Sequence, residues 1–268
     1  MITKIAIIGL GFVGNAIHKS LDGWMSVNTV TVIDPAKGYN TRYEDIADYD
    51  AVFVCVPSPQ SADGTADTSI LEHVLEDLKR VDFKGVIISK VTAPPQVYQR
   101  LQESYHNLVH APEFLTAANA EHDYRHGRFA IIGGSVTAYK NEAERIIRMS
   151  QTGLNSVLHC SIQEAALAKY SINSFLATKV VFMNELALLA DKLDCDWETV
   201  RKAVNMDNRI GASHMQVPGP DGEYGFGGMC FPKDTAALIK SAEQADAKLS
   251  VLDTAVKTNL IIRLTDPK

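Results

Sequence analysis

The sequence predicts an α/β protein, with a doubly wound parallel sheet in its N-terminal half and a mostly helical second half. Three observations carry this. Short β-branched apolar runs alternate with amphipathic segments as far as Gly153, the pattern of strands separated by crossover helices. A G-x-G-x-x-G run, Gly9 to Gly14, lies between the first such strand and the first helix. Beyond Gly153 the strand patterns stop, and residues 165–193 hold neither Gly nor Pro while keeping apolar residues at helical spacing. A length of 268 residues suits two modest domains. The expected division is 1–160 for the sheet domain and 161–268 for the helical one.

In chain order, residues 4–8 read as a strand and 16–21 as the first turns of a helix. Residues 29–33 form a second strand that ends at Asp34. Residues 51–56 are a third, stopped by Pro57-Ser58-Pro59, where proline ends the ladder. A helix follows over 68–81, then a strand over 85–89, a helix over 97–103 and short strands over 108–110 and 130–133. Ser161-Ile162-Gln163-Glu164 is a capping-box sequence, with a hydroxyl at the N-cap and a carboxylate three residues later. The helix behind it is long enough to be a spine joining two domains. Helices are also expected over 197–204, 235–245 and 251–264. The irregular stretch 209–233 is long for a loop in a compact domain, and such loops are more often functional than not.

Composition narrows the function. The chain is 46% hydrophobic and 22% charged with a net charge of −6, and its Lys and Arg are scattered, so no nucleic-acid face is expected. No uninterrupted apolar run approaches the ~20 residues of a membrane span. The N-terminus enters a patterned strand at once without a signal-peptide pattern, which predicts the cytoplasm. None of Cys55, Cys160, Cys195 and Cys230 forms a C-x-x-C pair, so neither a zinc cage nor a redox dithiol is expected. Cys55, Cys160 and Cys195 read as small buried hydrophobes. The i,i+4 pairs His106/His110 and His122/His126 lack an evident third ligand, and no metal site is assigned.

The glycine run has the context that makes such a motif informative. Gly9 allows the tight turn, Gly11 the close approach of a pyrophosphate, and Gly14 close packing of helix on strand. The helix N-terminus behind them suits an anion. Asp34, ending the next strand twenty residues after Gly14, is placed to accept from ribose hydroxyls and to repel a 2′-phosphate. These features predict a Rossmann-type domain that binds NAD rather than NADP, with nearby Lys37 weakening the discrimination.

In the second half, Lys169 and Asn173 are four apart and share a helix face. They are either a solvated stripe or a cation and an amide aimed at an oxygen that gains charge. The segment Gly225-Phe226-Gly227-Gly228-Met229-Cys230-Phe231-Pro232-Lys233-Asp234 is the most informative. Its glycines let backbone approach a ligand and present the thiol. Asp234 precedes Thr235-Ala-Ala-Leu and reads as a helix N-cap.

That ten-residue segment resembles the catalytic signature of the UDP-glucose/GDP-mannose dehydrogenase family. The resemblance runs in order along the chain through V-P-S-P at Val56, K-V-T-A-P at Lys90, P-E-F-L at Pro112, K-Y-S-I-N at Lys169 and D-N-R-I-G at Asp207. It implies a four-electron, NAD-dependent oxidation of the C6 alcohol of a nucleotide-sugar to the uronic acid. Cys230 would be the nucleophile, Lys169 and Asn173 oxyanion donors, and Asp234 the group that orients or deprotonates water. Glu113 and Thr92 would position a water near the reacting carbon. Gly9, Gly11, Phe12, Val13, Gly14, Asp34, Pro57, Ser58 and Thr92 would line the cofactor. Phe114, Leu115, Lys169, Asn173, Arg209 and Gly227 would hold the substrate, with Arg209 reaching across a homodimer built on the long helix. UDP-glucose is the first substrate to consider and GDP-mannose the second.

The sequence departs from the family pattern in three places. Ala117 stands where the family has a second glutamate, residues such as Asp221–Tyr224 lengthen the loop before Gly225, and the family's further C-terminal nucleotide-binding domain lies beyond the residues present. The expectation is therefore a short form. Two alternatives remain: a β-hydroxyacid dehydrogenase, which shares the first half and a K-x-x-x-N pair but needs no cysteine, and a non-catalytic NAD-binding or interaction module.

Overall fold

The computed structural model describes residues 3–21 and 27–265. Among them the strands are β1 (Thr3–Ile8), β2 (Val27–Asp34), β3 (Tyr39–Asn40), β4 (Ala51–Val54), β5 (Val86–Ser89), β6 (Leu108–His110), β7 (Phe129–Gly133) and β8 (Ser156–Cys160). They form one sheet in the order β3-β2-β1-β4-β5-β6-β7-β8. β2–β1–β4–β5–β6 pair in parallel, as do β7 and β8. The β2–β3 and β6–β7 pairs are antiparallel, so the sheet is mostly rather than wholly parallel.

Helices α1 (Phe12–Leu21), α2 (Ser69–Arg80), α3 (Pro95–Ser104), α4 (Ala120–Arg125) and α5 (Thr137–Ser150) connect these strands. The near-continuous apolar strands are explained by burial on both faces. Ile5 and Ile7 of β1 point into one core with Phe53, Ile17 of α1 and Ile146 of α5. Ala6 and Ile8 point into the other with Val52, Leu71 and Leu75 of α2, and Tyr98 of α3. Helices α4 and α5, strand β8 and the two-residue β3 were not expected from the sequence.

The remaining helices are α6 (Ile162–Lys192), α7 (Trp197–Asn205), α8 (Phe231–Gln244) and α9 (Ser250–Thr265). The start of α6 follows from a reciprocal cap: Ser161 N–H donates to Glu164 Oε2 at 2.7 Å and Glu164 N–H to Ser161 Oγ at 3.3 Å. The chain divides into two compact units, Met1–Ser61 with Ala66–Lys169, and Ala62–Thr65 with Tyr170–Lys268. The division falls within α6 because Ile162 and Ala166 are buried in the core of the first unit. In the second unit Ala177 and Val181 of α6 pack with Phe226 and with Ala255 and Ile262 of α9.

By length and composition α6 is apolar enough to cross a membrane, with a mean hydropathy of 1.3 over eighteen residues. Polar residues along it, Lys169, Asn173, Lys179 and Asn184, are nevertheless buried in the protein. Lys169 donates to the Glu113 carbonyl, Asn173 to Asp234, Lys179 to three carbonyls and Asn184 to the Val180 carbonyl.

Candidate active site

The first unit builds its site from strand ends. Gly9 turns the chain after β1 at φ +90°, and its N–H donates to Ile33 O at 2.9 Å. A side chain at Gly14 would overlap the Gly9 carbonyl, so α1 can lie this close to β1 only with glycine there. A Cβ at Gly11 would meet nothing within 4 Å, leaving open space in front of the α1 N-terminus, which Phe12 and Val13 begin. Asp34, ending β2, accepts from Leu10 N–H at 2.8 Å through Oδ2. Lys37 donates to Leu10 O at 2.5 Å, which ties this cation to the same turn. An open glycine cradle, a helix N-terminus and a carboxylate at the second strand end fit a dinucleotide. Gly9, Gly11, Phe12, Val13 and Gly14 would hold the pyrophosphate and Asp34 the ribose.

Further along the sheet, Pro57 and Ser58 follow β4, and Ser58 Oγ donates to Thr92 O at 2.7 Å. This hydrogen bond joins the V-P-S-P and K-V-T-A-P turns. Glu113 and Phe114 follow β6. Glu113 Oε1 accepts from Phe114 N–H at 2.8 Å, and its Oε2 lies 3.5 Å from Lys90 Nζ, with both side chains largely buried. Lys169 Nζ donates to the Glu113 carbonyl and sits 5.1 Å from the centre of the Phe114 ring. Leu115 packs against the adjoining core. A cavity of about 90 Å³ opens beside Lys90, Glu113, Phe114, Arg128 and Gln151. Lys90 is legible in sequence only as the first residue of K-V-T-A-P, while its partner Glu113 lies 23 residues away.

Cys55 and His110 mark how dry these strand ends are. Burial pushes the Cys55 thiol up to about 12, with Lys90 opposing and Glu113 reinforcing, so this cysteine is unsuited to act as a nucleophile. Burial also drives His110 down to about 3, against a hydrogen bond to Ser89 O that works the other way and with help from the charges of Lys90 and Lys169.

The second unit carries the thiol. Cys230 is exposed and occupies the N-cap position of α8. Here the structure corrects the expected helix start. Helix α8 begins at Phe231, so Asp234 lies in its first turn and not at its cap. Pro232 is compatible with this because a first-turn residue needs no N–H partner. Asp234 is almost wholly buried. Its N–H donates to Cys230 O at 2.8 Å. Its Oδ2 accepts from Asn173 Nδ2 at 2.6 Å, and its Oδ1 from Lys233 Nζ at 2.6 Å. The structure thus joins Asn173, Asp234 and the Cys230 main chain, three positions drawn from two distant motifs. Cys195, by contrast with its expected burial, is exposed, and Cys160 is half-buried.

The three glycines before Cys230 differ in their surroundings. The space over Gly225 is taken by Asn259 and that over Gly227 by Arg263, whereas Gly228, at φ +76°, has open surroundings. Arg209 has an 87% exposed side chain paired with Asp207. That arginine holds the Asp207 carboxyl below its usual range. The segment around it is pegged by Lys179, whose Nζ donates to Ile210 O, Gly211 O and Ser213 O at 3.1, 2.8 and 2.6 Å. Desolvation lowers the Lys179 pKa. Asn184, Asn259, Arg263 and Lys179 were all missed from sequence. Among the described residues there is no group of three His, Cys, Asp or Glu side chains that could hold a metal ion.

Comparison with known proteins bears on both units. Residues 37–151 match the NAD binding domain, and residues 163–260 the central domain, of the UDP-glucose/GDP-mannose dehydrogenase family. The chain is 31% identical over 256 residues to UDP-glucose 6-dehydrogenase YwqF of Bacillus subtilis, covering 90% of this chain and 55% of that protein. It is 35% identical over 214 residues to UDP-glucose 6-dehydrogenase of Pseudomonas aeruginosa, covering 75% and 46%. The chain therefore spans about half the length of the curated relatives it matches. The fold is similar to a UDP-glucose dehydrogenase from Pyrobaculum islandicum, with a TM-score of 0.81 at 24% identity over 97% of this chain and 68% of the other. It is also similar to 3-hydroxyisobutyrate dehydrogenase from Mycobacterium tuberculosis, with a TM-score of 0.78 at 18% identity over 99% and 95%.

Proposed function

Given that the chain belongs to the UDP-glucose/GDP-mannose dehydrogenase family, we propose that it oxidises the C6 alcohol of a nucleotide-sugar to the carboxylate, with UDP-glucose the first substrate to test and GDP-mannose the second. The observation that carries this reading is the exposed Cys230 thiol at the head of α8, one turn from a buried Asp234 held by Asn173 and Lys233. NAD, when bound, accepts a hydride in each of two oxidations.

The chain's own groups supply the rest. The substrate alcohol loses its proton to a water held by Glu113 and Thr92 as its carbon gives up the first hydride. The Cys230 thiol adds to the resulting aldehyde carbon to form a thiohemiacetal, whose oxygen takes a proton. Loss of that proton and of the second hydride leaves a thioester on Cys230. Water adds to the thioester carbonyl, the C–S bond breaks, and the uronic acid departs with the thiol restored. Lys169 and the second N–H of Asn173 are suited to stabilise the oxygen that bears negative charge in each step. Asp234 orients the hydrolytic water. Phe114, Leu115 and Arg209 are the proposed substrate contacts.

Assembly as a homodimer through α6 belongs to the same reading. Phe175, Phe182 and Leu189 repeat at seven-residue spacing along α6 and are 68%, 54% and 51% exposed, the spacing of a helix seam that packs on another helix.

The test is NADH formation by purified protein with a panel of nucleotide-sugars, counted against uronic acid. About two NADH per acid are expected, as the four-electron stoichiometry of a thiol-trapped aldehyde requires. Cys230→Ser should abolish the acid. A variant that still makes uronic acid at the full rate would reopen the hydroxyacid dehydrogenase alternative, which shares the fold and needs no thiol.

A further inference from the structure

The glycine loop ahead of Cys230 has no regular secondary structure, yet its main chain is bonded as closely as a strand. Asn259, a residue of α9 only 5% exposed, accepts from Phe226 N–H through Oδ1 at 2.6 Å and donates to Phe226 O through Nδ2 at 3.0 Å. A carboxamide is the side chain that can do both, since it carries an acceptor and donors side by side. Neighbouring groups extend the pattern. Gly225 N–H donates to Asn184 Oδ1 at 2.9 Å, and Arg263 donates through Nε to Phe226 O at 2.8 Å and through Nη2 to Asp221 Oδ2 at 2.6 Å.

Two features show that the loop is shaped around these side chains. Any substituent on Gly225 would overlap the Asn259 amide, and any on Gly227 the Arg263 guanidinium. Gly225, at φ +73° against the buried Asn259 amide, is therefore required by a contact within the protein, whereas a side chain at Gly227 would displace the end of the Arg263 side chain. The Phe226 ring is itself buried with Ala177, Val181, Ala255 and Ile262 and meets the Phe231 ring edge-on at 6.1 Å. Phe226 and Phe231 thus bracket Gly228, Met229 and Cys230, which are exposed.

We propose that Asn259 is a positioning residue for the Cys230 thiol, acting through its paired hydrogen bonds to the Phe226 main chain, with Arg263 as the second half of the clamp. This rests on the reading of Cys230 as the group that traps the aldehyde. A buried amide costs stability unless its donors and acceptors are met. Within α9 a leucine would fill the same volume without that requirement. What the amide adds is orientation of the loop.

The experiment compares the unaltered chain with Asn259→Ala, Asn259→Asp and Arg263→Met by amide hydrogen exchange and by product analysis with nucleotide-sugar and NAD. Exchange over residues 225–231 should rise about tenfold or more in Asn259→Ala, the loss of about one net hydrogen bond, while the sheet of the first unit is unchanged. Released aldehyde should increase relative to uronic acid, because the thiol serves only the steps after the first hydride transfer, and the KM for NAD should stay the same. Asn259→Asp keeps the acceptor for Phe226 N–H but sets an oxygen against Phe226 O, so it should not restore the ratio. Arg263→Met, altered at a half-exposed position, should shift exchange and product ratio the same way, and it carries the test if Asn259→Ala does not fold. Unchanged exchange over 225–231, or equal loss of both oxidations with an unchanged product ratio, would overturn the proposal. Uronic acid from Cys230→Ser would instead overturn the reading of the thiol.

Discussion

His110 makes the fold acid-sensitive in a way that one substitution should remove. It closes β6 beside Ser89 of β5 and stacks on Tyr98 with ring centres 4.1 Å apart. Its Nδ1 is 3.1 Å from Ser89 O, so the proton sits on Nδ1 and donates, and Nε2 is a bare acceptor. That Nε2 is buried without a partner among the described residues. Burial lowers the folded-state pKa to about 3 from 6.5, and Lys90 and Lys169 add to the shift. The unfolded chain therefore binds more protons than the folded one between those two values. Stability from the neutral ring is present above about 6.5 and is lost as pH falls toward 3. Between about pH 7 and about pH 4.5 the loss is about 2–3 kcal/mol from this residue alone.

The perturbation is His110→Phe. Phenylalanine keeps the stack on Tyr98, and Ser89 O retains a donor in Ala111 N–H at 2.9 Å. The cost at neutral pH should be no more than about 1 kcal/mol, one net hydrogen bond. Urea denaturation of both proteins at the two pH values checks this. Carboxylates that titrate in the same window act on both proteins and cancel. The variant should lose about 2–3 kcal/mol less than the parent on acidification. Equal losses would show that His110 is not a buried neutral base and would refute the argument.

Three further outcomes are expected. Gly11→Ala should leave thermal stability unchanged, since its Cβ meets nothing within 4 Å, while weakening NAD in calorimetric titration; Gly14→Ala should lower the melting temperature as well, because its Cβ overlaps the Gly9 carbonyl. Asp234→Asn should let a covalent adduct build up on Cys230, seen by intact mass after mixing with nucleotide-sugar and NAD, whereas Lys169→Ala should slow both oxidations by roughly 10²–10³. Lys179→Met leaves three carbonyls without their donor and should raise amide exchange around residues 208–214, at a cost of about 1–2 kcal/mol because water can reach that segment.

What the sequence determined by itself is whatever depends on near neighbours along the chain. The short β-branched apolar runs placed β1, β2, β4, β5, β6 and β7 and the helical spacing placed α6, and Ser161 with Glu164 set the start of α6 through a cap that closes within four residues. The glycine turn was legible because its three positions and Asp34 fall within one strand–helix–strand unit. The ten residues around Cys230 could be read as a motif, although their local geometry could not. An aspartate followed by a helix-forming run looks like a cap, yet Pro232 fits a first turn and α8 starts at Phe231, four residues earlier than expected. The tertiary structure alone decided the groups whose partners are distant in sequence: Asn173 on Asp234 across 61 positions, Asn259 on Phe226 across 33 and Lys90 on Glu113 across 23. Such side chains leave no periodicity, because their placement answers to a buried acceptor elsewhere and not to the repeat of their own helix or strand. For the same reason the glycines at 225 and 227 looked like room for a ligand until α9 was seen to fill it.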